Sequence, residues 1–122
     1  MTETRVSQNV FLSTREFNQD SLWFSGHFPD NPILPGIAQL SIVLDMIQQT
    51  TTKKLFIKEF KRVKFKQLIK PNDPLEIQAD QSQKEPDTYS FMIKVRGETA
   101  CQGIMTLKSK SIISIEGEKN DC

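Results

Sequence analysis

The chain has 122 residues, with 37% hydrophobic residues and a formal net charge of +1. This length suits one domain and is too short for two, and the near-neutral charge identifies no partner by itself. The longest apolar run, around Leu40–Leu44, is far too short to span a membrane, so no membrane association is expected.

Features of the termini and cysteines favour a cytoplasmic protein. The first residues, MTETRVSQNVF, mix acidic and basic side chains and do not resemble a secretion signal. Cys101 and Cys122 make no disulfide framework, and reduced thiols are the expected state. One histidine and two distant cysteines form no metal-ligand cluster, so no metal site is predicted.

The predicted elements begin with a weakly alternating strand over Val6–Leu12 and continue with a loop rich in proline and glycine. After Gly36, apolar residues recur at spacings of three and four through IAQLSIVLDMIQQT, which predicts a helix buried over most of its circumference. Ser41, Asp45 and Gln48 share one polar stripe of this helix.

Strands are predicted for the second half of the chain. In Lys54–Leu68 the alternation changes parity after Ile57 and again at Val63, which predicts a bulge or a short break. Further strands are predicted at Leu75–Gln81, Thr88–Val95 and Ala100–Leu107, separated by turns. We therefore predict an α+β fold with one central helix and an antiparallel sheet in a single domain, residues 1–108, followed by a polar flexible tail, residues 109–122.

The segment FSGHFPDNPILPG, residues 24–36, contains the only histidine, His27, and three of the six prolines. Histidine has an unperturbed pKa near neutrality, about 6.5, and prolines restrict the backbone that carries it. The helix that begins at Gly36 has N–H groups without partners inside it, and these can bind an oxygen that gains negative charge. A base near such a site suits proton abstraction next to a carbonyl, although a histidine in an ordinary loop would have the same pattern.

Residues Gly26–Gly36 resemble the active-site segment of the FabA/FabZ family, Gly-His-Phe-Pro-x-x-Pro-(Val/Ile/Leu)-(Met/Leu)-Pro-Gly, at every position. Residues 63–75, VKFKQLIKPNDPL, are similar to the family's second signature, with Asn72 where glycine is usual. The run ILPGIAQL looks closer to the ApeI-like dehydratases. These families are 3-hydroxyacyl-carrier-protein dehydratases with the hot-dog fold, which assemble as dimers or oligomers of dimers.

The resemblance implies dehydration of a 3-hydroxyacyl thioester on acyl carrier protein to the 2-enoyl thioester, without a cofactor. By the same resemblance His27 is the general base or acid, and the Gly36 N–H holds the thioester oxygen. Phe28, Leu34 and Pro35 would shape the substrate site. The acyl group would be linked through phosphopantetheine, in a tunnel along the dimer interface.

This sequence departs from the family where a carboxylate of the partner subunit's helix is expected fourteen residues after the histidine, because that position is Ser41. Asp45, one turn later and about 6 Å along the axis, could act as the acid if it is mostly buried. Alternatively, His27 performs both proton steps while Ser41 orients the hydroxyl or a water. A third possibility is an impaired, acyl-binding accessory subunit, completed by an active partner in a heterodimer.

Eight of the sixteen basic residues lie in the eighteen positions from Lys53 to Lys70, with Glu59 the only acidic residue there. This stretch could dock an acidic carrier protein through Lys61, Arg62, Lys64 and Lys66, or it could be a solvated sheet edge protected by lysines. Nucleic acid is the third possibility, and the near-neutral chain with few exposed aromatic residues argues against it.

Overall fold

The structure, a computed structural model, describes residues 4–18, 20–21 and 34–110. These ranges contain one helix and six strands: β1 (Arg5–Ser7), β2 (Val10–Arg15), α1 (Gly36–Gln48), β3 (Lys54–Phe65), β4 (Leu75–Gln81), β5 (Thr88–Val95) and β6 (Glu98–Lys110). One helix with an antiparallel sheet is the predicted α+β architecture. His27, Phe28 and the tail from residue 111 lie outside the described residues.

The strands form one sheet in the order β1-β2-β4-β5-β6-β3, and all neighbouring strands are antiparallel. Strands β4 and β5 alternate between buried and more exposed residues, because only their inner face packs on the core. The chain places β3 beside β6, so β1 and β3 are the two edges of the sheet among the described residues. Both β4 and β5 have the bounds that the sequence predicted.

Helix α1 packs on the inner face of the sheet, and seven of its thirteen residues are buried. Ile42, Val43 and Met46 are fully buried and belong to one core cluster with inner-face residues such as Ile93. Burial of each large side chain contributes about 1.5–3 kcal/mol. Ile37, which is 67% exposed, is the one exposed residue of the helix, so the helix is buried over most of its circumference, as its composition predicted. Within the described ranges, no helix has the length and apolarity that a membrane crossing requires.

The end of the helix is tied to the start of β3 by one side chain. The Gln48 Nε2 donates a 2.6 Å hydrogen bond to the Lys53 carbonyl, and the Leu55 N–H donates a 2.8 Å bond to Gln48 Oε1. Gln48 therefore holds both the turn after the helix and the first residues of the edge strand.

Strand β3 has two register shifts, between Ile57 and Glu59 and between Lys61 and Lys64, which confirms the predicted bulge. Arg62, in the second bulge, has a φ of 55°, in the left-handed region. Opposite this bulge, a Cβ on Gly103 would lie 2.9 Å from Val63 Cγ2. The bulged strand consequently needs a glycine on its neighbour.

Two predicted strands differ from the structure. The single strand expected over Val6–Leu12 is a hairpin of β1 and β2, in which Gln8 adopts a φ of 57° at the turn. The turn residues are Gln8 and Asn9, and the left-handed position is occupied by glutamine, whereas glycine or asparagine is usual there. Strand β6 extends beyond Ala100–Leu107 at both ends, because Glu98 and Thr99 pair with β5 and the residues up to Lys110 pair with β3.

Candidate functional site

Leu34, two residues before the helix start, is held through both of its backbone groups. The Leu34 N–H donates a 2.7 Å hydrogen bond to the Ile69 carbonyl, and the Leu34 carbonyl accepts a 3.1 Å bond from Gln39 Nε2. The Leu34 side chain is buried in the core cluster. Pro35, in an extended conformation, is the N-cap residue of α1. These contacts fix the position at which the chain enters the helix.

Gly36 is the first residue of α1, and an aromatic ring lies directly over it. A Cβ on Gly36 would be 2.8 Å from Cζ of Phe65, so any larger residue would displace the ring. The first N–H groups of a helix have no partner inside it and carry the positive end of the helix dipole. The site at Gly36 is therefore a set of backbone donors beside an apolar ring, which suits a polarised thioester oxygen.

Sequence reasoning missed two residues that form this helix start, Gln39 and Phe65. Gln39 is a polar residue on the buried face of a helix, and this mismatch with the apolar pattern was a usable signal. Phe65 gave no such signal, because its contact with Gly36 joins two elements that are distant in the sequence.

Ser41 and Asp45 lie one turn apart on the helix, and both are partly exposed. The Asp45 carboxylate accepts a 2.8 Å bond from Arg15 Nη1 and a 3.2 Å bond from Gln49 Nε2, both at Oδ2. The Asp45 side chain is 45% exposed, whereas that of Arg15 is 4% exposed. The condition under which Asp45 could act as the acid, a mostly buried carboxylate, is not met in the single chain, since this carboxylate is half-exposed and acts as the counter-ion of a buried guanidinium.

Arg15 was not identified from the sequence, although it continues the inner-face positions Phe11 and Ser13 of β2, where a charged residue is unexpected. Its Nη2 is buried and finds no acceptor among the described residues, and the buried Gln39 Oε1 finds no donor among them. Buried polar atoms of this kind are commonly satisfied by ordered water.

The four predicted docking residues are all exposed. Lys61 pairs across the sheet with Ile104 and Lys64 with Gln102, which places both lysines on the outer face of β3. Arg62 lies in the bulge between them, and Lys66 follows the strand. The structure thus groups these cations at one edge of the sheet, apart from the helix stripe that carries Ser41 and Asp45.

Other reactive groups in the described part of the chain are few. Burial raises the pKa of the Cys101 thiol to about 11, so this cysteine is a neutral core residue at pH 7 and not a nucleophile. In residues 4–18, 20–21 and 34–110, no three His, Cys, Asp or Glu side chains are grouped as metal ligands.

Comparison with known proteins relates the chain to dehydratases. The sequence model of the ApeI-like family, described as ApeI dehydratase, matches residues 3–104. The 3-hydroxyacyl-(acyl-carrier-protein) dehydratase FabZ of Rickettsia bellii (strain RML369-C) is 32% identical over 100 residues, which cover 72% of this chain and 69% of that protein. FabZ of Rickettsia felis is 31% identical over 100 residues, which again cover 72% of this chain and 69% of that protein.

Solved structures with the same fold include the dehydratase heterocomplex ApeI:P from Xenorhabdus doucetiae. Its matching chain is 26% identical, with a TM-score of 0.74, over 88% of this chain and 93% of that chain. A hypothetical thioesterase from Streptococcus pneumoniae, with a TM-score of 0.67 and 12% identity over 91% of this chain and 87% of that one, shows the fold alone. The hot-dog fold is thereby confirmed, and the chain belongs to the ApeI-like family of hot-dog dehydratases.

Proposed function

We propose that the protein dehydrates a 3-hydroxyacyl thioester, carried on acyl carrier protein, to the 2-enoyl thioester. The observation that carries this proposal is the helix start at Gly36, which is fixed through Leu34 and directly follows the histidine motif in the sequence. Backbone donors at that point supply the electrostatic stabilisation that removal of a proton next to a thioester requires.

In the proposed reaction, His27 removes the proton from C2 of the substrate. The electron pair of that C–H bond moves toward the carbonyl, whose oxygen accepts hydrogen bonds from the N–H groups at Gly36. The pair then forms the C2–C3 double bond while the C3–O bond breaks. The departing hydroxyl takes a proton and leaves as water, so the products are the 2-enoyl thioester and water.

The proton that the hydroxyl takes must come from the enzyme. Asp45 is held by Arg15 and Gln49, and this arrangement favours the route in which His27 returns the proton while Ser41 orients the hydroxyl or a water. Asp45 could act as the acid only after its contact with Arg15 opens. Loss of a dedicated general acid typically lowers the rate 10²- to 10⁴-fold, so we expect slow turnover.

Substrate binding would use the apolar surroundings of the helix start. Leu34 and Pro35 position the chain beside Gly36, and Phe28 is proposed from the resemblance as a further wall of the site. The carrier protein is proposed to dock on Lys61, Arg62, Lys64 and Lys66, since carrier proteins are strongly acidic and these side chains are exposed.

A second candidate function is that of an accessory subunit which binds the acyl carrier but depends on a partner for the acid. Ser41 favours it, because this hydroxyl replaces the family's carboxylate and the nearby Asp45 is ion-paired. A related dehydratase forms the ApeI:P heterocomplex, and the resemblance to the family implies homodimers or oligomers of dimers. Either assembly could bring a carboxylate from another subunit to the site.

Mass spectrometry of a 3-hydroxyacyl-carrier-protein, incubated with wild-type protein or with His27→Ala, tests the first function. Turnover that disappears in His27→Ala supports a dehydratase that works without the usual acid. Absence of turnover, with the acyl carrier still bound, supports the accessory function instead.

Ser41→Glu measures how much the missing acid limits the reaction, and Ser41→Gln is its matched control. We expect Ser41→Glu to raise the rate by up to about 10²-fold and Ser41→Gln to leave it low, because only the carboxyl can donate a proton. Equal rates for both variants would show that the acid is not the limiting group.

A further inference from the structure

Gln39 is the only polar side chain among the buried residues of helix α1. Its exposed fraction is 3%, and Ile42 and Met46, which continue the same face of the helix, are fully buried. A side-chain amide carries two donor hydrogens and an acceptor oxygen. In Gln39, Nε2 donates to the Leu34 carbonyl, whereas Oε1 is buried and finds no donor within the described part of the chain. Burial of such an incompletely bonded amide costs free energy.

An apolar side chain of similar length would suit this position in the core. With methionine in place of Gln39, the Leu34 carbonyl would lose its bond, but the unpaired Oε1 would be gone as well. The number of unpaired buried acceptors would stay the same, and a methionine side chain is the easier of the two to bury. The stability of the core therefore does not explain why a glutamine lies here.

Gln39 holds two consecutive carbonyl groups at the point where the chain enters the helix. Its backbone N–H donates a 3.1 Å hydrogen bond to the Pro35 carbonyl, and its Nε2 donates a 3.1 Å bond to the Leu34 carbonyl. The proline ring restricts the φ of Pro35, which is −65°, and the two bonds restrict the peptide groups on either side of this residue. The conformation of Pro35 is therefore fixed on both sides.

The second of these carbonyls shares its peptide group with the Gly36 N–H. A peptide group is planar, and in the trans form found here its C=O and N–H point in opposite directions. Because the Pro35 carbonyl points into the first turn, toward the Gln39 N–H, the Gly36 N–H points out of the helix at its N-terminal end. This direction changes if the peptide group rotates about Pro35, and the bond from Gln39 Nε2 opposes that rotation.

We infer that Gln39 is a positioning residue, which sets the direction of the Gly36 N–H through the Leu34 and Pro35 carbonyls. The inference rests on the proposed function only in assigning that N–H to the thioester oxygen. Hydrogen-bond donors lower a barrier most when they are already aimed at the position where charge develops. Loss of the side-chain bond of Gln39 should therefore slow the reaction without unfolding the protein.

The variant Gln39→Met removes this bond and nearly preserves the size of the side chain, and Ile42→Val on the same buried face is its matched control. Ile42→Val deletes one buried methyl group and leaves both carbonyl contacts of Gln39 in place. In urea unfolding, the midpoint of Gln39→Met should stay close to that of wild type, whereas Ile42→Val should have a lower midpoint because it leaves a small cavity.

Nuclear magnetic resonance relaxation of protein labelled with ¹⁵N-glycine measures how freely the Gly36 N–H reorients. The variant Gly36→Ala identifies the Gly36 signal by its absence. We expect an order parameter of about 0.85 for this N–H in wild type and in Ile42→Val, and a fall toward about 0.6 in Gln39→Met. This readout does not depend on enzymatic activity.

Mass spectrometry of the dehydration of a 3-hydroxyacyl-carrier-protein gives kcat and KM for the same proteins. For Gln39→Met, kcat should fall at least about tenfold, since removal of a complete donor lowers it about 10²- to 10³-fold. KM should change little, because the donor acts on the charge of the transition state. Ile42→Val should keep the kcat of wild type.

An unchanged order parameter in Gln39→Met, or equal losses of kcat in Gln39→Met and Ile42→Val, would overturn the inference and leave Gln39 as a core residue. A lower order parameter in Gln39→Met, combined with no turnover even by wild-type protein, would support the role of Gln39 in directing the N–H and reject the proposed dehydration. The two proposals can thus fail separately.

Discussion

Arg15 is a charged side chain inside the protein, and its environment shows what the sequence could and could not predict at the scale of single residues. Its exposed fraction is 4%, and its counter-ion, Asp45, belongs to the helix, thirty positions further along the chain. The alternation of β2 marks Arg15 as inward-facing, but no local pattern connects it to Asp45. The helical spacing correctly placed Asp45 and Ser41 on one polar stripe of α1. The ion pair between Arg15 and Asp45, however, depends on how the helix packs on the sheet.

Removal of one member of this pair should destabilise the fold more than removal of both. We expect Asp45→Ala to lower the free energy of unfolding by about 2–3 kcal/mol, because it leaves a buried guanidinium without its carboxylate; the half-exposure of Asp45 keeps the loss at the low end of the range for buried pairs. The double variant Arg15→Met, Asp45→Ala should recover at least about 1 kcal/mol. Urea unfolding of the two variants measures both values.

Arg96 provides the matched control, since it bonds to Asp73 at 2.9 Å but is 66% exposed. Arg96→Met should change the free energy of unfolding by less than about 1 kcal/mol. A double variant at Arg15 and Asp45 that is less stable than Asp45→Ala would contradict the role assigned to the pair.

The buried thiol of Cys101 should make stability depend on alkaline pH. Burial raises its pKa from the ordinary value of 9.0 to about 11, so the unfolded chain loses this proton at lower pH than the folded protein does. The stability that Cys101 contributes is complete below pH 9 and is lost as the pH rises toward 11. When the pH rises from 8.5 to 10.5, the free energy of unfolding of the wild-type protein should fall by about 2 kcal/mol more than that of Cys101→Ala.

Urea unfolding under reducing conditions, at both pH values, gives this difference directly. Tyr89, whose pKa is raised by burial and further by Asp87, is present in both proteins, so its contribution cancels in the comparison. Equal losses for wild-type protein and Cys101→Ala would show that the thiol does not contribute.

At the scale of elements, prediction succeeded where the periodicity was strong. Strands β4 and β5 were predicted to the residue, because each has one buried face and ends in a turn. The change in the alternation of apolar residues along β3 also predicted a bulge from the sequence alone. Prediction failed at the β1–β2 hairpin, where Gln8 adopts a left-handed φ without any glycine to mark the turn.

The close approach of the β3 bulge to β6 predicts that alanine is tolerated less well at Gly103 than at Gly36. A Cβ on Gly103 would lie 3.0 Å from the Val63 Cα, which is backbone and cannot move freely, whereas a Cβ on Gly36 meets only the half-exposed ring of Phe65. We expect Gly103→Ala to lower the free energy of unfolding by about 2–3 kcal/mol and Gly36→Ala by less than about 1 kcal/mol. Thermal or urea unfolding of the two variants measures these losses.

The variant Phe65→Leu tests whether the effect at Gly36 comes from the Phe65 ring, because it removes the ring that Gly36→Ala would displace. In the Phe65→Leu background, Gly36→Ala should have no measurable effect, while Gly103→Ala should remain destabilising. A larger loss at Gly36 than at Gly103 would contradict this account of the packing.

At the scale of the whole molecule, the resemblance in the histidine segment predicted the hot-dog fold, which the related structures confirm. It could not predict which apolar surface this chain leaves uncovered. Three side chains around the helix start are more than half exposed: Ile37 by 67%, Phe65 by 52% and Leu68 by 61%. We call them the helix-start cluster. They adjoin the β3 edge, and such a cluster marks a surface that an assembly covers.

The helix-start cluster should therefore contribute to association more than to folding. The double variant Ile37→Ser, Leu68→Ser should keep its free energy of unfolding within about 1 kcal/mol of wild type, since both positions are exposed in the single chain. Its dimer dissociation constant should rise at least about 100-fold, because burial of each side chain contributes about 1.5–3 kcal/mol. Sedimentation of the variant and of wild-type protein measures this constant.

Val6 and Leu12 offer the matched control, because they are 50% and 42% exposed on the strands of the opposite edge. Val6→Ser with Leu12→Ser also replaces two exposed apolar side chains, but far from β3 in the strand order. If this control weakened association as much as the variant of the helix-start cluster, the assembly surface would not be the β3 side. If only the variant of the helix-start cluster weakened association, the side chains around Gly36 would also hold the subunits together. Assembly would then complete the walls of the acyl site.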